Sequence, residues 1–167
     1  MTKLLTISFG GLLLFSCENP GTSSHPVNGS TNLPQKRVNV VPSRLTASVG
    51  GFLTSSYKID LQEDGNLVYW QNPTAFALLA PVTEQETLKI SDERWARFRE
   101  SLDDARVWTW DQEYIDPNVL DGTTWRLEVV YADRSINSHG SNATPKGRQF
   151  RKFLSAVEEL IGGREFR

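Results

Sequence analysis

Apolar and polar residues along this chain fall into two kinds of block, one of period two and one of helical period. Tyr57, Ile59 and Leu61 alternate with Lys58, Asp60 and Gln62. Trp125, Leu127, Val129 and Tyr131 alternate with Arg126, Glu128 and Val130. Successive side chains of a strand point to opposite faces, so each run predicts a half-buried strand. Arg44 to Val49 reads as a shorter strand leading into Gly50-Gly51. Asp64-Gly65 is a strong hairpin signal, and a two-residue turn there sets Val68 opposite Leu61 and Trp70 opposite Ile59. A turn at Asp133-Arg134 sets Ile136 opposite Tyr131.

The helical blocks follow each set of strands. Ser91 can cap a helix, Asp92 and Glu93 suit its positive end, and Ile90 can staple to Trp95. Trp95, Phe98, Leu102 and Ala105 make its apolar stripe, which leaves Arg94, Arg97 and Arg99 to a solvated face. Thr144-Pro145 suits a second helix start. Phe150, Phe153, Leu154, Val157, Leu160 and Ile161 form its stripe, and Gly162 stops it. The halves read as one unit used twice: strand, tight turn, strand, loop, helix. The expected fold class is therefore α+β, a two-layer domain with an antiparallel sheet and two amphipathic helices on one face.

The N-terminal region has neither period. Lys3 precedes an apolar run, Leu4 to Phe15, that is too short for the about 20 residues of a membrane span. Leu14-Phe15-Ser16-Cys17 resembles the lipobox of bacterial lipoproteins, and Cys17 is the only cysteine. That resemblance implies a signal peptide over residues 1–16 and a lipid on Cys17, which anchors the protein to a membrane of the bacterial cell envelope, facing periplasm or exterior. Residues 17–42 are rich in Gly, Ser, Thr, Asn and Pro and read as a flexible tether. Residues 43–167 are the size of one domain. Once Lys3 is set aside, 17 basic residues face 20 acidic ones, a formal charge of −3. That balance gives no case for nucleic acid as a partner.

Two motifs sit in the second half. Asp121-Gly122-Thr123-Thr124-Trp125 precedes a strand, and Gly140-Ser141-Asn142-Ala143-Thr144-Pro145 precedes the second helix with its Phe150-x-x-Phe153. Together they resemble a bacterial module, often exported, that has no assigned activity; an aromatic usually stands there in place of Thr144. Gly50-Gly51-Phe52 before a strand and an Asp-Gly turn fits related modules. The resemblance implies a fold and brings no activity. Read physically, Asp121-Gly122 starts a strand and Asn142 satisfies backbone groups at a strand-to-helix corner.

Catalytic chemistry is sparse. His139 is the domain's one histidine, beside Ser138 and Ser141, with no G-x-S-x-G elbow and no supporting carboxylate in register. With one histidine in the domain and the cysteine lipidated, a zinc site would rest on carboxylates, and no phosphate-binding glycine loop is present. No catalytic residue, metal or cofactor is expected. Asp103-Asp104 and Asp111/Glu113 are pairs that an acidic surface often carries. The stretch Trp108 to Asp121 concentrates aromatics and carboxylates, and Trp108 and Trp110 should share one face if it is a strand. Its spacing does not match a calcium loop. Tyr114, Asp116, Asn118 and Asp121 are the candidate binding residues, because loops on a rigid scaffold commonly carry recognition. The leading expectation is a lipid-anchored, non-catalytic domain that binds a protein or envelope component. The alternative is a small envelope hydrolase using His139 or a carboxylate pair. Toxin immunity or inhibition is a third reading that fits a domain of this size.

Overall fold

A computed structural model describes residues 39–51, 54–72, 84–119 and 122–167. The signal-peptide and tether expectations for residues 1–38, and with them Cys17, lie outside the described residues.

Among the described residues seven strands and two α-helices build an α+β domain: β1 (Arg44–Gly51), β2 (Ser56–Leu61), β3 (Leu67–Asn72), β4 (Glu84–Leu88), α1 (Asp92–Asp104), β5 (Glu113–Ile115), β6 (Thr123–Val130), β7 (Ser135–Ser141) and α2 (Gln149–Leu160). The strands form one sheet in the order β4-β3-β2-β1-β6-β7-β5. All neighbours are antiparallel except β5 and β7. Each half contributes a hairpin and a helix. The halves differ by one edge strand each, β4 and β5, and β1 is the seam between them.

The period-two runs put their apolar residues on one face. Leu45, Ala47, Val49, Tyr57, Ile59, Trp125, Leu127 and Val129 are buried there, in one core with Trp95, Phe98 and Leu102 of α1 and Phe153, Val157 and Leu160 of α2. The helix caps follow their sequence signals. Ser91 caps α1, its Oγ accepting from the Arg94 amide. At the other helix, Gly162 has φ +74°; its amide donates to the Glu159 carbonyl, and the Gly163 amide donates to the Glu158 carbonyl. That pair of bonds is a Schellman stop. The start of α2 differs from expectation. It begins at Gln149, after a turn at residues 146–148 with Gly147 at φ +70°.

The first hairpin is out of the expected register. Leu61 faces Leu67 and Ile59 faces Tyr69, so Val68 and Trp70 lie on the other face. The loop has three residues, not two. The Gly65 amide donates to the Gln62 carbonyl, the Gln62 amide donates to the Asn66 carbonyl, and Gly65 sits at φ +81°. This is a type I turn closed by a left-handed glycine, and its extra residue reverses every side chain after it. In the second hairpin the Tyr131 amide donates to the Arg134 carbonyl, and Ile136 faces Val129. The turn thus sits one residue earlier than expected, and Ile136 keeps its face.

Two further pieces close the core. Arg99 belongs to no solvated face; it is buried, its guanidinium 4.4 Å over the Tyr131 ring. It donates to Asp133 Oδ2 at 2.6 Å and to the Asn39 carbonyl at 3.2 Å, and it holds the Asp133 carboxyl down at about 2. Val40 and Val41, in the stretch read as tether, pack against the core beside it. At the other end of the chain Phe166 is fully buried. Tyr69 donates to the Glu165 carbonyl and Tyr57 to the Glu165 carboxylate, while Arg164 pairs with Glu86. Burial raises the Tyr57 phenol and pushes that of Tyr69 up to about 12.

Candidate binding face

The helices cover one face of the sheet. Among the described residues no helix packs on the other, although Val68 of β3 is buried there. Strand register lays its side chains out in rows. One row runs Gln85, Trp70, Lys58, Ser48, Arg126, His139, Glu113 across all seven strands. Lys58 stands 4.8 Å over the Trp70 ring and 3.6 Å from Asp60. Asp60 in turn accepts from Thr46 Oγ1 at 2.6 Å. Glu128 takes Arg44 at 2.9 Å and Arg126 at 3.4 Å. The face is therefore charged but internally paired.

The next row, toward the end of β1, is made of small residues: Asn72, Ser56, Gly50, Thr124 and Ser141. A row of three hydroxyls, one amide and one glycine beside a row holding tryptophan and lysine leaves a hollow. The hollow is a groove of about 660 Å³, with Lys58 and Trp70 on one side and Gly122 and Asn142 on another. Gly50 is required here, since a Cβ on it would run into the Ser56 side chain.

The two sequence motifs meet at the end of this groove. Asn142 sits at φ +60°, its amide donating to the Thr123 carbonyl at 2.8 Å and its Nδ2 to the Val119 carbonyl at 2.7 Å. Its Oδ1 is buried without a partner among the described residues and occupies the space a Cβ at Gly122 would need. Trp125 lies across Gly140, donates Nε1 to the Ala143 carbonyl at 2.8 Å, and packs at a tilt against the Phe150 ring, 4.9 Å between centroids. Glycine at 140 leaves room for that indole. The motif pair is thus a structural corner that shapes the groove's end.

The candidate residues divide. Asp116 and Asn118 stand beside the groove in one turn: Asp116 donates its amide to the Ser141 carbonyl, and its Oδ1 accepts from the Asn118 amide at 3.0 Å. Ile115 and Val119, which no periodic pattern marks in the sequence, are the exposed large apolar residues of this edge. Tyr114 is in strand β5 rather than a loop. Its ring packs 5.8 Å from Trp125 and its hydroxyl accepts from the Asp111 amide, so it supports the site from the core side. Asp121 lies outside the described residues. Trp108 and Trp110 do not obey strand parity, because residues 107–109 form a 3-10 turn. Trp110 is buried, whereas Trp108 is half-buried against Tyr131 and donates to Asp103.

His139 does have a carboxylate in register. Glu113 lies directly opposite on β5, Nε2 to Oε1 being 3.2 Å, with both side chains about half exposed at 46% and 58%. Parallel pairing across 26 residues hid this from the sequence. Glu113 is the ring's bonded partner, and no hydroxyl is bonded to it among the described residues. Asp103 is spent on Arg134 and Trp108. No group of three or more metal-ligating side chains converges among the described residues, and no helix there is long and apolar enough to cross a membrane.

No protein-family description matches this chain, and no curated protein sequence does.

Proposed function

We propose that this chain is a lipid-anchored protein of the bacterial cell envelope whose domain binds a protein or another envelope component and catalyses no reaction. The anchor rests on Leu14-Phe15-Ser16-Cys17 and the single cysteine. The observation that carries the binding role is the uncovered sheet face with its hollow row. It offers hydroxyls, an indole and an ammonium group to one ligand surface, bordered by the Asp116–Asn118 turn and the apolar Ile115 and Val119. A polar rim around a few apolar anchors is the composition of a recognition surface.

The hydrolase reading draws on one observation, the His139–Glu113 contact. That contact gives an imidazole a carboxylate but no nucleophile, so it falls short of a hydrolytic set.

The test is site-specific photocrosslinking in cells. A crosslinker at Thr124, on the groove floor, should capture one defined component, and one at Glu100 on α1 should not. Lys58→Ala with Trp70→Ala should abolish the Thr124 adduct, and His139→Ala should leave it. Cys17→Ala should move the protein out of the membrane fraction. Equal capture from both positions, or capture unchanged by the double variant, removes the groove from the reading. Acyl-free mature protein removes the anchor.

A further inference from the structure

The cations of this domain are unevenly paired. Arg44, Arg97, Arg126 and Arg134 each reach a carboxylate. Lys146, Arg148, Arg151 and Lys152 have no carboxylate partner among the described residues, and all four are exposed. They stand in a stretch, residues 135–157, that contains no Asp or Glu at all. On an acidic chain this is a local reversal of sign.

Structure gathers three of them at one place. Arg151, Lys152 and Ser155 share a face of α2, and Arg148, the residue just before the helix, lines the same groove with them. That face lines a groove of about 430 Å³ whose far wall is Ser101 and Asp104 of α1. The Lys152 ammonium donates to the Asp104 carbonyl at 3.3 Å, which holds it at the groove. Two carboxylates also line the groove. Glu159 is taken by Arg97 at 3.3 Å; Asp104 shares the lining with the three cations. The groove is therefore net positive, with two guanidinium forks, one ammonium and two hydroxyls as donors.

We infer that the groove between α1 and α2 binds a phosphate group through Arg148, Arg151 and Lys152. Guanidinium forks match a tetrahedral oxyanion in two bonds each, and charge-assisted bonds are the strong ones. Ser101 and Ser155 can donate to remaining oxygens. The phosphate comes either from a free phosphorylated solute or from the headgroup of an anionic lipid. This site lies on the helical layer and does not depend on the sheet face or on the lipid anchor.

Hydrogen exchange on the full chain in detergent micelles tests it. Inorganic phosphate, against chloride at equal ionic strength, should slow exchange saturably at residues 101–104 and 148–155. Replacing detergent with phosphatidylcholine bilayers, with and without phosphatidylglycerol, separates the sources: protection by phosphatidylglycerol alone assigns the headgroup, and protection by inorganic phosphate assigns the free anion. Arg148→Gln with Arg151→Gln and Lys152→Gln should weaken either response roughly tenfold or more. Arg151→Gln alone, a milder change, should weaken it in the same direction. Arg44→Gln with Arg126→Gln should leave it unchanged. Absence of a response to both probes, an equal response to chloride, or full retention in the triple variant overturns the site.

Discussion

The two faces of the sheet are built from the same strands, residue by residue, yet they carry different loads. Under the helices, Leu127, Ile59 and Ala47 are fully buried, and even the one serine there, Ser138, spends its hydroxyl on the Asp111 carbonyl. On the bare face, Arg44, Lys58, Arg126 and His139 meet Glu128, Asp60 and Glu113 at the surface. Ion pairs of that kind contribute little net stability, whereas each buried apolar side chain contributes on the order of 1.5–3 kcal/mol. Apart from Val68, which is buried on the bare face, the apolar burial of the sheet belongs to one side, which leaves most of the other side's composition free for recognition.

Substitutions can break that contrast. The largest effect should come from Phe153→Ala, which empties a fully buried position between α2 and the sheet; we expect a loss of about 3–5 kcal/mol in chemical denaturation. A value under about 1 kcal/mol is a surface-sized effect, and it would mean the helices do not supply the stability. Gly140→Ala should cost less, about 1–3 kcal/mol, because its methyl group must displace the Trp125 indole and the Ala143 carbonyl. Its tryptophan fluorescence should shift as well, reporting that the corner has moved. The smallest effect should be that of Glu128→Gln, which breaks two ion pairs on the bare face. We expect under about 1 kcal/mol, shrinking further in high salt. A larger loss would show that the bare face also holds the fold together.

The covered face was readable in the sequence because burial repeats. The stripes of both helices, the Ser91 cap and the Gly162 stop are local patterns, and the structure keeps them. What failed was whatever depended on counting across a turn or on distant neighbours. Asp64-Gly65 signals a turn but not its length, and one extra residue sent Val68 and Trp70 to the bare face. Arg99 looks like any surface arginine until Tyr131 and Asp133 arrive from 32 and 34 residues away. The edge strands β4 and β5 have five and three residues, too few and too exposed to show a period. Phe166 follows the helix stop, where no periodicity remains to mark it as core. The candidate site suffered most. Tyr114 stands out in the sequence as an aromatic in an acidic stretch, but it faces inward, against Trp125. The groove arises from small residues on separate strands, and each of them alone is unremarkable in sequence.

Strand β1 has one neighbour close in sequence and one far away. It pairs with β2 almost at once, but its other edge waits for β6, with Arg44 meeting Val130 and Gly51 meeting Thr123. This sets an order in time. As the chain emerges from its N-terminus, the first half can form hairpins and α1, but the central strand keeps an open edge and an uncovered apolar side until β6 arrives. The core then still lacks α2, and Phe166 fills its place last of all. Long-range pairing of this kind delays folding and leaves unpaired edges exposed meanwhile. A polypeptide so arranged closes its core only when β6, α2 and Phe166 have joined the first half.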